Sequence, residues 1–364
     1  MNYGYTHKGK VLDNGVIAPG PANAAELLVR PEDDGQQIAD YRIGDFEWWY
    51  FDIIDQASDC FLQIALHIGT DPLRTRIVSR LAILVVTPER SESFSHPIIF
   101  QELEADTLKC NISAKEGIKI RAEFNDHTEY FISLDIPLFK CNLNCTGDME
   151  GWKPLGNEIR CQTGKKKGAF SWVVPIPRAR VEGSFFFENK NYVINNGIGY
   201  HDHNYIKVNR RHPLYLDDLA IKWYWGKCYS GRYTVVFMDT HFRRNRILSL
   251  LVAENSSIIY NANNSIECSV TSSGYDNLLN AKYPEMIKIR STDDQFHFQA
   301  EFECVRILDR KDLLKGVNRV FKYLIKKLVA RPVYHVIYVR VKLKIKESDL
   351  EGYGNIESMV FRDK

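Results

Sequence analysis

The stretch GIGYHDHN, Gly197 to Asn204, sets two imidazoles around a carboxylate. In an extended chain His201 and His203 point one way and Asp202 the other. Such a group can hold a metal, move a proton or tie a loop together. Histidines at i and i+2 suit zinc or iron, but a site needs a third ligand, and no Cys or His pair stands at matching spacing. Proton chemistry asks for less: an aspartate held by a neighbouring imidazole and amides places a donor beside an acceptor. In the structural alternative, Asp202 and Asn204 bind the amides of a loop while the histidines fill space.

A second cluster is DFEWWYFDI, Asp45 to Ile53, where large rings flank Glu47. On a strand Glu47, Trp49 and Phe51 share one face, and Trp48, Tyr50 and Asp52 the other. So many rings are core by default. An acid among them is less ordinary, because a carboxyl desolvated by rings tends to keep its proton and can donate it. A third cluster is KWYWGK, in which Trp223 and Trp225 lie opposite Lys222 and Tyr224. On the return strand Tyr233, Val235, Phe237, Asp239 and His241 share a face, so an acid and a base end an otherwise apolar row. A solvent-facing strand end explains that pair equally well.

Together EWWYFD, GIGYHDHN and KWYWGK resemble the signature stretches of the AttH and carotenoid 1,2-hydratase family, over most of the chain. The resemblance implies two lipocalin-like β-barrel domains. It also implies an enzyme that hydrates or cyclises a hydrophobic olefin, as relatives in natural-product pathways do, some of them by Diels–Alder reactions. For such a reaction, which starts by proton donation to a double bond, Asp202 is the first candidate acid and Glu47 the second, with His201 or His203 orienting the acid and removing a proton. Trp48, Trp49, Tyr50, Tyr200, Asn204, Trp223 and Trp225 would then bind the substrate at the junction of the barrels. Tryptophan and tyrosine faces of this kind stabilise a desolvated cation by about 0.5–2 kcal/mol each. Many relatives carry Trp-Gly after the HDHN block, where this chain has Tyr205 and Ile206, and EGYGNIE near the C-terminus resembles the closing strand of such proteins.

The elements that must position these residues are mostly strands. In IKIRAEFN, Ile118, Ile120, Ala122 and Phe124 alternate with Lys119, Arg121, Glu123 and Asn125, which is the pattern of a half-buried antiparallel strand. The same period runs through Cys60–Ile68, Leu81–Val86, Glu129–Ile136, Gly183–Ile194, Leu219–Trp225, Arg232–Phe242, Arg246–Ala253, Phe296–Val305 and Val333–Lys346. Strands of this density between Gly, Asn, Asp and Ser turns predict an all-β protein of sandwiches or barrels. One segment differs. Leu313, Leu314, Val317, Val320, Phe321, Leu324, Ile325 and Leu328 recur at three and four, which predicts an amphipathic helix over about 312–330 before Pro332. Its lysine face suits solvent across a barrel mouth, or peripheral contact with a membrane.

A chain of 364 residues exceeds one ordinary core, and two domains are expected, 1–195 and 196–364, parted where NKNYVINNGIG interrupts the strand pattern. A net charge of +2 supplies no field for nucleic acid. The eight cysteines lack metal-ligand spacing and read as free buried thiols, including the near pair Cys141 and Cys145. No phosphate-binding glycine loop or flavin or nicotinamide fingerprint occurs, so no cofactor and no metal are expected. The N-terminus lacks an apolar leader, and no apolar run nears the roughly 18 residues that span a bilayer, which predicts a cytoplasmic protein. The expected partner is a hydrophobic small molecule.

Overall fold

The computed structural model describes residues 28–314 and 332–361, apart from 72–73, 155, 157–158, 164, 216–219, 243–245 and 264, together with 11–12 and 16–17. The described residues form two compact units, one within Ile17–Leu214 and one within Tyr215–Lys364 together with Val11–Val16. Each is a meander of antiparallel strands whose first and last long members pair. In the first unit the neighbours run Ser91–Ile98, Ile77–Val86, Cys60–Thr70, Phe46–Asp55, Lys190–Val208, Lys166–Phe187, Phe139–Gly147, Thr128–Ile136, Ile118–Phe124, Asn111–Ala114 and Leu103–Ala105. In the second they run Ser257–Ala262, Arg246–Glu254, Tyr233–Phe242, Ala220–Ser230, Ser348–Val360, Val333–Ile345, Phe298–Asp312, Ala281–Ser291 and Ile266–Asp276.

Both sheets curl until their two ends share a core. In the first, Phe94 on the outermost strand packs on Phe139 and Phe187 from the other wing, over a core that runs from Leu81 and Ile98 through Trp49 and Phe51 to Ile118 and Tyr130. In the second, Tyr260 stacks on Phe296, and Arg246 donates to the Cys268 carbonyl. The architecture is therefore barrel-like and all-β. Period-two patterning places the faces: Ile118, Ile120 and Ala122 are buried while Lys119 and Arg121 are exposed.

Two expectations change. Gly183–Ile194 is the end of one strand and the start of the next, joined at Glu188 and Asn189, whose φ angles of 52° and 62° match a two-residue hairpin turn. The boundary expected near 195 consequently falls inside the strand Lys190–Val208, and HDHN belongs to the first unit. The helix expected over about 312–330 lies, from residue 315 on, outside the described residues, and Asp312 ends a strand. The eight cysteines are free thiols and seven are buried.

Two sequence features shape the strands beneath HDHN. Lys166–Phe187 contains Pro175 and Pro177, which cannot donate to a ladder, and its register against Lys190–Val208 slips between Val173 and Ile176 and again between Ile176 and Ala179. Bulges thus flank the residues that face His201 and His203. The glycines of GIG are there for packing: a Cβ on Gly199 would come within 2.6 Å of Val181.

Candidate active site

The Lys190–Val208 and Phe46–Asp55 strands pair so that His201 faces Phe51, Asp202 faces Tyr50, His203 faces Trp49 and Asn204 faces Trp48. Directly opposed residues share a sheet face. Trp49, Phe51 and Ile53 belong to the core, so both histidines and Glu47 point into it, whereas Tyr50, Tyr200, Asp202 and Asn204 project from the opposite face. The strand pair therefore presents two separate polar groups.

On the core side His201 stacks on Phe51, with centroids 3.9 Å apart, and His203 stacks on Trp49 at 4.6 Å. His201 Nδ1 lies 2.8 Å from the Tyr50 carbonyl, and Nε2 lies 3.0 and 3.1 Å from the two oxygens of Asp34. His203 repeats the arrangement, Nδ1 being 3.1 Å from the Asp33 carbonyl and Nε2 2.9 Å from Glu47. A carbonyl only accepts, so each Nδ1 carries a hydrogen and each Nε2 shares a proton with a carboxylate. Glu47 also accepts from the Gln37 and Ile38 amides, at 2.7 and 3.2 Å, and from Tyr41 Oη. Burial alone would strip the proton from His203, but the hydrogen bond and charge of Glu47, aided by Asp34, outweigh it and raise its pKa. Burial, then the neighbouring Glu47 charge, pushes the Tyr41 phenol well up, and burial with Asp34 does the same to Tyr130, which donates to Asp34.

Asp34 reaches this cluster on a pinned loop. The Pro31–Asp33 turn is capped by the Arg30 amide donating to Asp33, Lys153 bridges to Asp33 at 2.9 Å, and Trp49 Nε1 donates to the Asp34 carbonyl at 3.0 Å. Asp34, Glu47 and His203 are completely buried and His201 almost so. The cluster holds the loop against the strands and is closed off from solvent.

On the other face Asp202 accepts from Trp172 Nε1 at 3.1 Å and Tyr200 Oη at 2.9 Å on one oxygen, and from Asn204 Nδ2 at 2.7 Å on the other. Beside it the Tyr50 hydroxyl donates to Asp52 at 2.7 Å, and the rings of Tyr50 and Tyr200 meet edge-on at 6.2 Å. Trp152 packs across Trp172 at 5.3 Å. Trp48 shares this face and is half-buried. Here a carboxylate, two phenols, an amide and indole rings lie together outside the apolar core. That combination can grip a hydrophobic ligand and exchange a proton with it.

The expected residues thus separate. Glu47 and Trp49 join His201 and His203 inside the core, while Trp48, Tyr50, Tyr200 and Asn204 join Asp202. The imidazole expected to hold Asp202 lies across the sheet from it, because adjacent strand residues face opposite ways. Trp172 and Tyr200 do that holding. Trp223 and Trp225 lie on Ala220–Ser230 of the second unit, in register with Met359 and Glu357. Asp239 is buried there, gripped by Arg246 at 2.6 Å and His241 at 3.0 Å, so its place is structural and not solvent-facing. Tyr205 points to the core side, its ring 6.2 Å from that of His203. Sequence reasoning missed Asp34 and Trp172. PEDDG resembles a surface turn, although two acids before a glycine were a faint signal, and Trp172 beside Pro175 was a stronger one.

No family model matches the chain. Among curated proteins it is 25% identical over 272 residues to the quinolone epoxide rearrangement protein asqO of Emericella nidulans, covering 69% of this chain and 70% of that one. Among solved structures it is similar to an AttH-like protein of Nitrosomonas europaea, with a TM-score of 0.63, 12% identity and 94% and 100% of the two chains covered. CghA with Sch210972 gives a TM-score of 0.59 at 13% identity over 93% and 97%. Kievitone hydratase of Nectria haematococca gives 0.57 at 12% over 96% and 98%. The fold is shared with the AttH-like protein and the other solved structures, as the resemblance of the three motif stretches implies. No helix among the described residues is long and apolar enough to cross a membrane.

Proposed function

We propose that the chain is a natural-product enzyme that rearranges, cyclises or hydrates a hydrophobic small molecule by acid–base chemistry centred on Asp202. The observation that carries this reading is the buried Asp202 carboxylate on the face away from the apolar core, held by Trp172, Tyr200 and Asn204. Trp172 donates to it, whereas the Tyr200 hydroxyl can accept as well as donate, so Tyr200 is the partner through which a proton can reach or leave Asp202. Protonating an alkene gives a cation that Trp48, Tyr50 and Tyr200 stabilise without attacking it. Protonating an epoxide oxygen opens the ring to a similar cation, a variant supported by the likeness to asqO. Tyr200, hydrogen-bonded to Asp202, would return the proton.

The test uses terpenoid and polyene olefins and a quinolone epoxide, each incubated with the full chain in heavy water. A deuterated or rearranged product that disappears in Asp202→Asn supports the reading. A new unlabelled isomer formed equally by Asp202→Asn points to a pericyclic reaction, which needs shape but no proton shuttle. Ligand that is bound and returned unchanged points to a carrier.

A further inference from the structure

The core-side cluster contains a thiol that its hydrogen bonds do not use. Cys110, just before the strand Asn111–Ala114, is buried, and its Sγ makes no hydrogen bond among the described residues. That sulfur, a carboxylate oxygen of Asp34 and a ring nitrogen of His201 lie within 4.8 Å of one another. Three donors of three chemical kinds therefore converge from residues 34, 110 and 201. We propose that Asp34, Cys110 and His201 bind one divalent zinc-type ion, with the Tyr130 phenol, which already donates to Asp34, as the fourth donor.

The imidazole is prepared for this. Its Nδ1–H is committed to the Tyr50 carbonyl, which turns Nε2 and its lone pair toward Asp34, the arrangement that metal-bound histidines use. A mixed nitrogen, oxygen and sulfur set suits zinc better than magnesium or calcium. Ligands about 2.0–2.3 Å from a tetrahedral ion stand about 3.3–3.6 Å from each other. The Asp34–His201 pair, at 3.0 Å, is nearly at that spacing, and the thiol must close by little more than about 1 Å.

Charge also balances. A divalent ion, an aspartate, a thiolate, a neutral imidazole and a neutral phenol sum to zero, so no net charge is buried. Two protons leave on binding, the Cys110 thiol proton and the one shared by Asp34 and His201. Without an ion, burial and the nearby Asp34 push the thiol pKa well up, so Cys110 stays protonated. The bound ion would fasten the Asp34 loop and the start of Asn111–Ala114 to the strand that carries Asp202. It would do so from the side opposite Asp202, as a closed structural centre.

The experiment is production of the untagged full chain in cobalt-supplemented medium, followed by desalting, metal analysis and near-ultraviolet spectroscopy. About one cobalt per chain with a thiolate-to-cobalt charge-transfer band is expected. Cys110→Ser should lose the band and retain at least about tenfold less metal, while Asp202→Asn keeps both. Cobalt far below one per chain in the wild type, or a band that survives Cys110→Ser, overturns the proposal. The stoichiometry is read on the wild-type chain, so that result does not depend on how the variants fold.

Discussion

The two units close their meanders alike, Phe46–Asp55 against Lys190–Val208 in the first and Ala220–Ser230 against Ser348–Val360 in the second, yet fill the junction differently. On the core side the first unit places Glu47, His203, His201 and Asp34 in matched pairs. The second places Tyr224 opposite Ser358 and Ser358 opposite His335, whose Nε2 is bound to Asp276 at 3.1 Å while its buried Nδ1 has no partner among the described residues. On the far face the first unit carries Asp202. The second carries Lys227, which donates to Asn355 at 2.7 Å beneath the Trp225 ring. One strand plan therefore carries a buried aspartate on this face in one unit and a buried lysine in the other, which is why the fold alone says little about reaction.

If the paired cluster of the first unit holds its strands, breaking a pair there should produce the largest loss. Glu47→Ala strands His203 in the core without its carboxylate, and denaturant unfolding should show a loss of about 3–5 kcal/mol. A loss below about 1 kcal/mol would mean that the pair is incidental.

A smaller and sharper contrast is in pH dependence. The His203 pKa is raised, so its contribution to stability is complete below the unfolded value near 6.5 and fades as pH climbs through the folded one. The His335 pKa is lowered: burial dominates, and Arg310 opposes the proton while Asp276 favours it. Its contribution is complete above about 6.5 and is lost as pH falls below that value. Melting temperatures across pH 5 to 9 should accordingly lose their alkaline decline in His203→Gln and part of their acid decline in His335→Gln. Identical profiles for the two variants would contradict the opposite environments.

The smallest effect is expected at Ser358, whose buried hydroxyl has no hydrogen-bond partner among the described residues. Ser358→Ala removes an unsatisfied group and should leave stability unchanged or raise it by up to about 1 kcal/mol. A loss exceeding about 1 kcal/mol would show that the hydroxyl is satisfied after all.

The all-β architecture and the face of each motif residue were legible, because period-two alternation follows directly from strand geometry: Trp49 and His203 on one side, Tyr50 and Asp202 on the other. Partners remote in sequence were not. Asp34 and His201 are 167 positions apart, and PEDDG signals a surface turn far more strongly than a destination inside a core. Alternation also hid the hairpin at Glu188–Asn189, since Glu is an unusual residue for a left-handed turn and the pattern runs on through it. The expectation that an imidazole holds Asp202 took adjacency in sequence for contact, whereas strand geometry puts His201 and Asp202 on opposite faces.

Asp202 is proposed to perform the proton chemistry while the histidines behind it hold the strand. The most direct measurement compares turnover per folded molecule with melting temperature in Asp202→Asn, using whichever olefin or epoxide the wild type converts. Turnover should fall by roughly 10²–10⁴ with the melting temperature nearly unchanged. A variant that melts earlier but turns over at the wild-type rate would make Asp202 a loop anchor and contradict the account.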